Sequence, residues 1–73
     1  MHYTQRLRNT REDHDKLQKE IAELLQITTQ QYQLYESGKR KLPIDHLITL
    51  CEFYNLSADY LLGLTDKRMK LHE

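Results

Sequence analysis

One stretch restricts this chain more than any other: QKEIAELLQITTQQYQLYES, running from Gln18 to Ser37. Its apolar and small residues, Ile21, Ala22, Leu25, Ile27, Tyr32 and Tyr35, fall at helical spacing around a short interruption at Gln26 and Ile27. Two amphipathic helices joined by so short a break meet through a tight turn, and a methyl-sized residue at Ala22 lets the second approach the first closely. The expectation is a helix-turn-helix.

With that set facing inward, the rest of the second helix of the pair faces solvent. Thr28, Thr29, Gln30, Gln31 and Gln33 carry hydroxyl and carboxamide groups, and no charge interrupts them before Glu36. Such side chains both donate and accept hydrogen bonds, which suits them to base edges in a major groove. Tyr32 and Tyr35 share the spacing of Leu25 and Ile27 and are read as core rather than as base-stacking residues. A formal net charge of zero runs against phosphate binding. The distribution runs the other way. Asp45, Glu52, Asp59 and Asp66 occupy a segment without Lys or Arg, whereas Lys39, Arg40 and Lys41 are consecutive just beyond the second helix. Together with Arg6, Arg8 and Lys19 they suggest one basic face and an opposite acidic one.

The flanking sequence supplies further helices. Tyr3, Leu7, Thr10 and His14 recur at helical spacing and predict a first helix over about 3–12. The second spans about 17–25, and its start has two readings: Asp15 with Gln18 as a capping pair, or Leu17 with no capping side chain. For the third, Thr28 and Gln31 form a T-x-x-Q capping pair, Ile27 and Tyr32 fit a hydrophobic staple, and Gly38 fits the left-handed closing position. Pro43 suits the first turn of a fourth helix, whose Ile44, Leu47, Ile48, Cys51 and Tyr54 form a core-facing stripe edged by Leu50 and Phe53, with Asn55 closing it. Leu56, Ser57 and Leu61 provide staple, cap and staple partner for a fifth helix ending at Gly63. The expected fold is all-α: a compact five-helix bundle over residues 1–63, its helix-turn-helix at about 18–37, and a charged tail over 64–73 that is a short helix or disordered.

At 73 residues the chain is read as one small domain whose core gives modest stability. Cys51 has no partner for an internal disulfide and, on an apolar stripe, is read as a small buried hydrophobe rather than a nucleophile. His2, His14, His46 and His72 are scattered, without metal-ligand spacing or a carboxylate-lined face. Neither a metal site nor acid–base chemistry is expected, no cofactor is implied, and the protein is not read as an enzyme. No apolar run has the length of a membrane span or signal peptide, so a cytoplasmic location is expected.

Taken in order, RLRNTRE, QKEIAELLQITTQQYQLYESGKRKLP and LITLCEFYNLSADYLLG resemble the Cro and phage-repressor-like (XRE) helix-turn-helix family of transcriptional regulators, the likeness covering Leu7 to Gly63. The resemblance implies a lambda-repressor-like domain whose partner is double-stranded DNA. On its pattern Thr29, Gln30, Gln31, Gln33 and Leu34 contact base edges. Gln18, Thr28, Ser37, Lys39, Arg40 and Lys41 contact phosphates, and Arg11 with Glu36 forms a partly buried structural ion pair. Leu61, Leu62 and Leu64 cap the core or, in part, form the surface by which a homodimer occupies a palindromic operator. The implied role is a repressor; the alternative is a protein-interaction module on the same fold, an antitoxin or antirepressor acting through a protein partner.

Three positions depart from the family pattern. Gln26 stands where Gly is commonest, which asks a non-glycine residue to adopt a left-handed conformation. Lys16 replaces an apolar loop anchor and moves Leu17 into the capping position. Thr10 is polar where many relatives carry Leu.

Overall fold

The computed structural model describes residues 2–71. They form five helices and no strand: α1 (Tyr3–Asp13), α2 (Gln18–Leu25), α3 (Thr29–Ser37), α4 (Ile44–Tyr54) and α5 (Ala58–Leu61). Packing of α1 on α3 and α5, of α2 on α3, and of α4 on α5 encloses one core. Leu7, Ile21, Tyr32, Leu50 and Leu61 lie at its centre, each fully buried. Burial of a side chain of this size contributes about 1.5–3 kcal/mol, so these few residues hold the domain together.

The ends of α3 follow from local chemistry. The Thr28 hydroxyl accepts a hydrogen bond from the Gln31 amide at 3.1 Å, and Gln31 Oε1 accepts one from the Thr28 amide at 3.3 Å. Gly38 closes the helix at φ 80, a conformation that a side chain would strain. The turn between α2 and α3 is as short as its sequence requires. Gln26 adopts the left-handed conformation at φ 59, and the Ile27 amide reaches back to the Ala22 carbonyl at 3.0 Å.

The start of α2 follows the second of its two readings. Asp15 does not cap the helix; it turns the chain in a left-handed conformation at φ 56. Leu17 occupies the capping position without a side-chain bond, and only the return half of a capping box forms, Glu20 Oε1 accepting from the Leu17 amide at 2.9 Å. Pro43 likewise sits one residue earlier than expected, at the N-cap of α4 rather than in its first turn.

The expected stripe on α4 is corrected. Leu47, Leu50, Cys51 and Tyr54 are buried, but Ile44 and Ile48 are 67% and 52% exposed, and Phe53 is exposed as well. The reason is the size of the opposing element: α5, which packs on the eleven-residue α4, is four residues long. Leu50, placed at the margin by its sequence spacing, takes the central position.

The tail is neither helical nor loose over its described residues. Arg6, expected on a basic surface, is buried on α1; its guanidinium lies 4.2 Å from the centre of the Tyr60 ring and pairs with Asp66 at 3.0 Å. Arg68 pairs with Asp13 and donates to the Tyr60 hydroxyl at 3.2 Å, while the Ser57 amide donates to the Met69 carbonyl at 2.7 Å. These bonds fold residues 65–69 back over α1 and α5. His72 lies outside the described residues.

Candidate nucleic-acid interface

The outer face of α3 is built by the same periodicity that buries its inner one. Tyr32 and Tyr35 point into the core as expected, which leaves Thr29, Gln30, Gln31 and Gln33 exposed and Leu34 half-buried. Gln31 commits one of the two lone pairs of its carbonyl oxygen to the cap of its own helix, and its amide nitrogen keeps both donors.

The acid that ends this helix is withdrawn from the face. Glu36 lies beneath the surface with its side chain 4% exposed, and Arg11, 10% exposed, meets it with two hydrogen bonds: Nε to Oε2 at 2.7 Å and Nη2 to Oε1 at 3.3 Å. A third Arg11 bond runs from Nη1 to the Lys16 carbonyl at 2.8 Å. Gln18, at the first position of α2, donates from Nε2 to Glu36 Oε1 at 3.1 Å. One carboxylate therefore ties α1, the start of α2 and the end of α3 together.

Burial alone would push the Glu36 carboxyl up, but the Arg11, Tyr32 and Gln18 groups and the Arg11 charge outweigh it and hold the carboxyl below its ordinary value. The Glu36 hydrogen bond in turn raises Arg11, against the opposing effect of burial. Burial and then the nearby carboxylate push the Tyr32 phenol far up, and it stays neutral.

Above this pair, Arg8, Gln18, Gln33 and Ser37 line a cleft of about 230 Å³ between α1, α2 and α3. Gln18 and Ser37 were expected on phosphates. In the free domain both are engaged internally, Gln18 with Glu36 and the Ser37 hydroxyl donating to the Leu34 carbonyl at 3.2 Å. Arg8, not among the expected site residues, borders the same cleft, and its pairing with Glu12 at 3.7 Å is exposed and weak. Its signal in the sequence was its place one helical turn before Arg11. Thr28 is exposed at the start of α3 and Lys39, Arg40 and Lys41 are exposed beyond its end, and among the described residues no acid pairs with the three cations.

The three leucines separate. Leu61 is fully buried in the core and cannot belong to a surface between copies, Leu62 is half-buried, and Leu64 is exposed. The histidines serve packing where they are described: His14 lies against Tyr54 with ring centres 4.7 Å apart, and His46 against Tyr35 at 5.9 Å. Among the described residues no cluster of His, Cys, Asp and Glu is arranged to hold a metal ion, and no helix is long and apolar enough to cross a membrane.

The sequence and the fold have counterparts among known proteins. Residues 4–67 match the family model described as a helix-turn-helix domain. The chain belongs to that family. Residues of this helix-turn-helix domain are 42% identical over 64 positions to the HTH-type transcriptional regulator YobD of Bacillus subtilis, covering 88% of this chain and 57% of that protein. They are 41% identical over 58 positions to the HTH-type transcriptional regulator ImmR of the same organism, covering 80% of this chain and 46% of that one. The fold superposes on a crystal structure of a transcriptional regulator from Listeria innocua with a TM-score of 0.80 and 31% identity, over 92% of this chain and 63% of that chain. The domain thus spans about half the length of the curated relatives it matches. The family is one of non-enzymatic domains, in keeping with the absence of catalytic chemistry expected from the sequence.

Proposed function

We propose that this helix-turn-helix domain binds DNA in a sequence-specific manner as part of a transcriptional regulator, and acts as a repressor by occupying a palindromic operator as a dimer. The observation that carries the reading is the outer face of α3, exposed and rich in carboxamides, with its one carboxylate withdrawn and neutralised by Arg11. A helix of that kind enters a major groove without repelling phosphate, and its amides match the donor and acceptor pattern of base edges. The relatives named as transcriptional regulators support the same reading.

In this arrangement Thr29, Gln30, Gln31, Gln33 and Leu34 face the bases. Thr28, Lys39, Arg40 and Lys41 hold the adjoining phosphates, with Ser37 and Gln18 joining after their internal bonds rearrange or through the amide groups at the start of α2. Binding requires no chemistry; affinity comes from the cations and discrimination from the amides.

Selection of bound duplexes from a random library, followed by titration of the winner at two salt concentrations, tests the reading. A palindromic consensus bound in a Gln30-dependent manner is the expected result. No enrichment even at low salt would refute it and favour a protein partner.

A further inference from the structure

The segment that folds back beyond α5 is attached almost entirely through charged groups. The Arg6 guanidinium, on a side chain only 5% exposed, donates to the Thr65 carbonyl at 3.3 Å and to Asp66 at 3.0 Å, whereas the Asp66 side chain itself is 99% exposed. Arg68 pairs with Asp13, both side chains being about half in water, and donates to the Tyr60 hydroxyl. Both guanidinium groups thus gather on Tyr60, at 4.2 and 5.7 Å from the centre of its ring. One backbone bond, from the Ser57 amide to the Met69 carbonyl at 2.7 Å, completes the attachment. Gly63, at φ 76, makes the bend from which the segment leaves α5.

Apolar burial adds little. Leu64, Met69 and Leu71 are 73%, 54% and 41% exposed, so few contacts are lost when the segment lifts. A unit with few buried apolar contacts and water-accessible polar bonds opens at a lower free energy than the core beside it. Opening also strands no charge. Asp13, Asp66 and Arg68 are already hydrated, and water reaches Arg6 as Asp66 departs, in contrast to the enclosed pair of Arg11 and Glu36. Ion pairs of this open kind are individually weak and are screened by salt.

The segment also has something to cover. Leu71 joins Ile44, Ile48 and Cys51 of α4 in lining an apolar groove of about 410 Å³, and Cys51 is only 5% exposed. We propose that residues 65–71 are a strap that hinges at Gly63, opens independently of the helical core, is loosened by salt, and on opening bares Arg6 on α1 and the groove along α4 at Cys51. Closed, the strap masks a cation and narrows an apolar surface; open, it presents both at once. The device does not depend on the DNA reading and stands whether or not the domain binds an operator.

The test reads strap, groove and core separately. Amide exchange at Ser57, followed by NMR, reports the strap; alkylation of Cys51 by uncharged iodoacetamide reports the groove; and amide exchange at Leu50 inside α4 reports the core. The wild type is compared with Arg68→Ala and with Asp66→Asn, the latter at a side chain wholly in solvent where folding is not at stake, and thermal melts establish that each variant is folded. Raising salt from about 0.1 M to about 1 M, which shortens the screening length from about 10 to about 3 Å, should quicken Ser57 exchange and Cys51 alkylation about threefold or more in the wild type and leave Leu50 exchange no faster. Each variant should show the faster rates already at low salt and respond less to added salt. Ser57 and Cys51 rates that rise only when Leu50 exchange rises would overturn the proposal, because the segment would then open only with the whole domain. Quicker Ser57 exchange with unchanged Cys51 alkylation would overturn it as well, since the groove would not be under the strap's control. Rates that neither salt nor either variant alters would do the same.

Discussion

Arg11→Ala is the substitution that most directly tests how α3 is held. In the wild type the guanidinium satisfies both oxygens of a carboxylate that is almost wholly covered, and it also holds the Lys16 carbonyl. Its removal strands the Glu36 charge in a place that water scarcely reaches, a loss of about 3–5 kcal/mol. In a domain of this size each kcal/mol displaces the melting temperature by about 4–8 °C, so a fall of at least about 12 °C is expected. Arg8→Ala is the control. Its i,i+4 pair with Glu12 is exposed on both sides, contributes about 0.3–0.5 kcal/mol, and its loss should cost at most about 4 °C. Acid titration gives a second reading of the same pair. Glu36 is held below its ordinary value in the folded wild type, so its stabilisation is complete above the unfolded carboxyl value of about 4.3 and disappears as pH falls through the lower folded value. In Arg11→Ala burial is opposed only by the Tyr32 and Gln18 groups, so the carboxyl rises relative to the wild type, the variant loses less on acidification, and the gap between the two proteins narrows. Thermal melts of the two variants at neutral and acidic pH supply both measurements. Equal small losses for Arg8→Ala and Arg11→Ala, or a gap that does not change with pH, would refute the argument.

Other perturbations follow from single positions. Gln26→Gly relieves the left-handed strain at φ 59, and after the added freedom of an unfolded glycine is subtracted the gain is about 0.5–1 kcal/mol, seen as a rise of a few degrees in Tm. The Thr10 hydroxyl is buried without a hydrogen-bond partner, so Thr10→Val keeps the shape, removes the unmet polar group and should stabilise by about 1 kcal/mol or more in denaturant titration. On the selected operator, Gln30→Ala should cost about 1–3 kcal/mol and relax preference at one or two base pairs. Lys39→Ala should weaken every sequence alike and lower the salt slope by about one, and the reverse pattern would exchange the roles assigned to these residues.

What the sequence disclosed about this fold depends on how far apart the interacting groups lie. The cap of α3 was legible because Thr28 and Gln31 satisfy each other within one turn, and the burial of Tyr32 and Tyr35 because a single helical period fixes both. The Arg11 and Glu36 pair was legible only through the family resemblance, since nothing local joins positions on different helices. The latch of Arg6 on Asp66 had no such guide: the residues are remote in sequence, and an arginine on an amphipathic helix carries no sign of whether its stem will be buried. At the site, periodicity identified the outward face of α3 but was silent on competition for its side chains. Gln18 is drawn to Glu36 and Gln31 to its own cap, commitments that exist only once three helices have met or a turn has closed. The stripe on α4 failed in the most informative way. Periodicity reports which residues are apolar on a common face but not how much of that face the remaining chain can cover, and a four-residue α5 covers too little. Ile44 and Ile48 are what is left after the core is full. Apolar side chains on a helix edge that no neighbouring element covers stay in contact with water, whatever their spacing in the sequence.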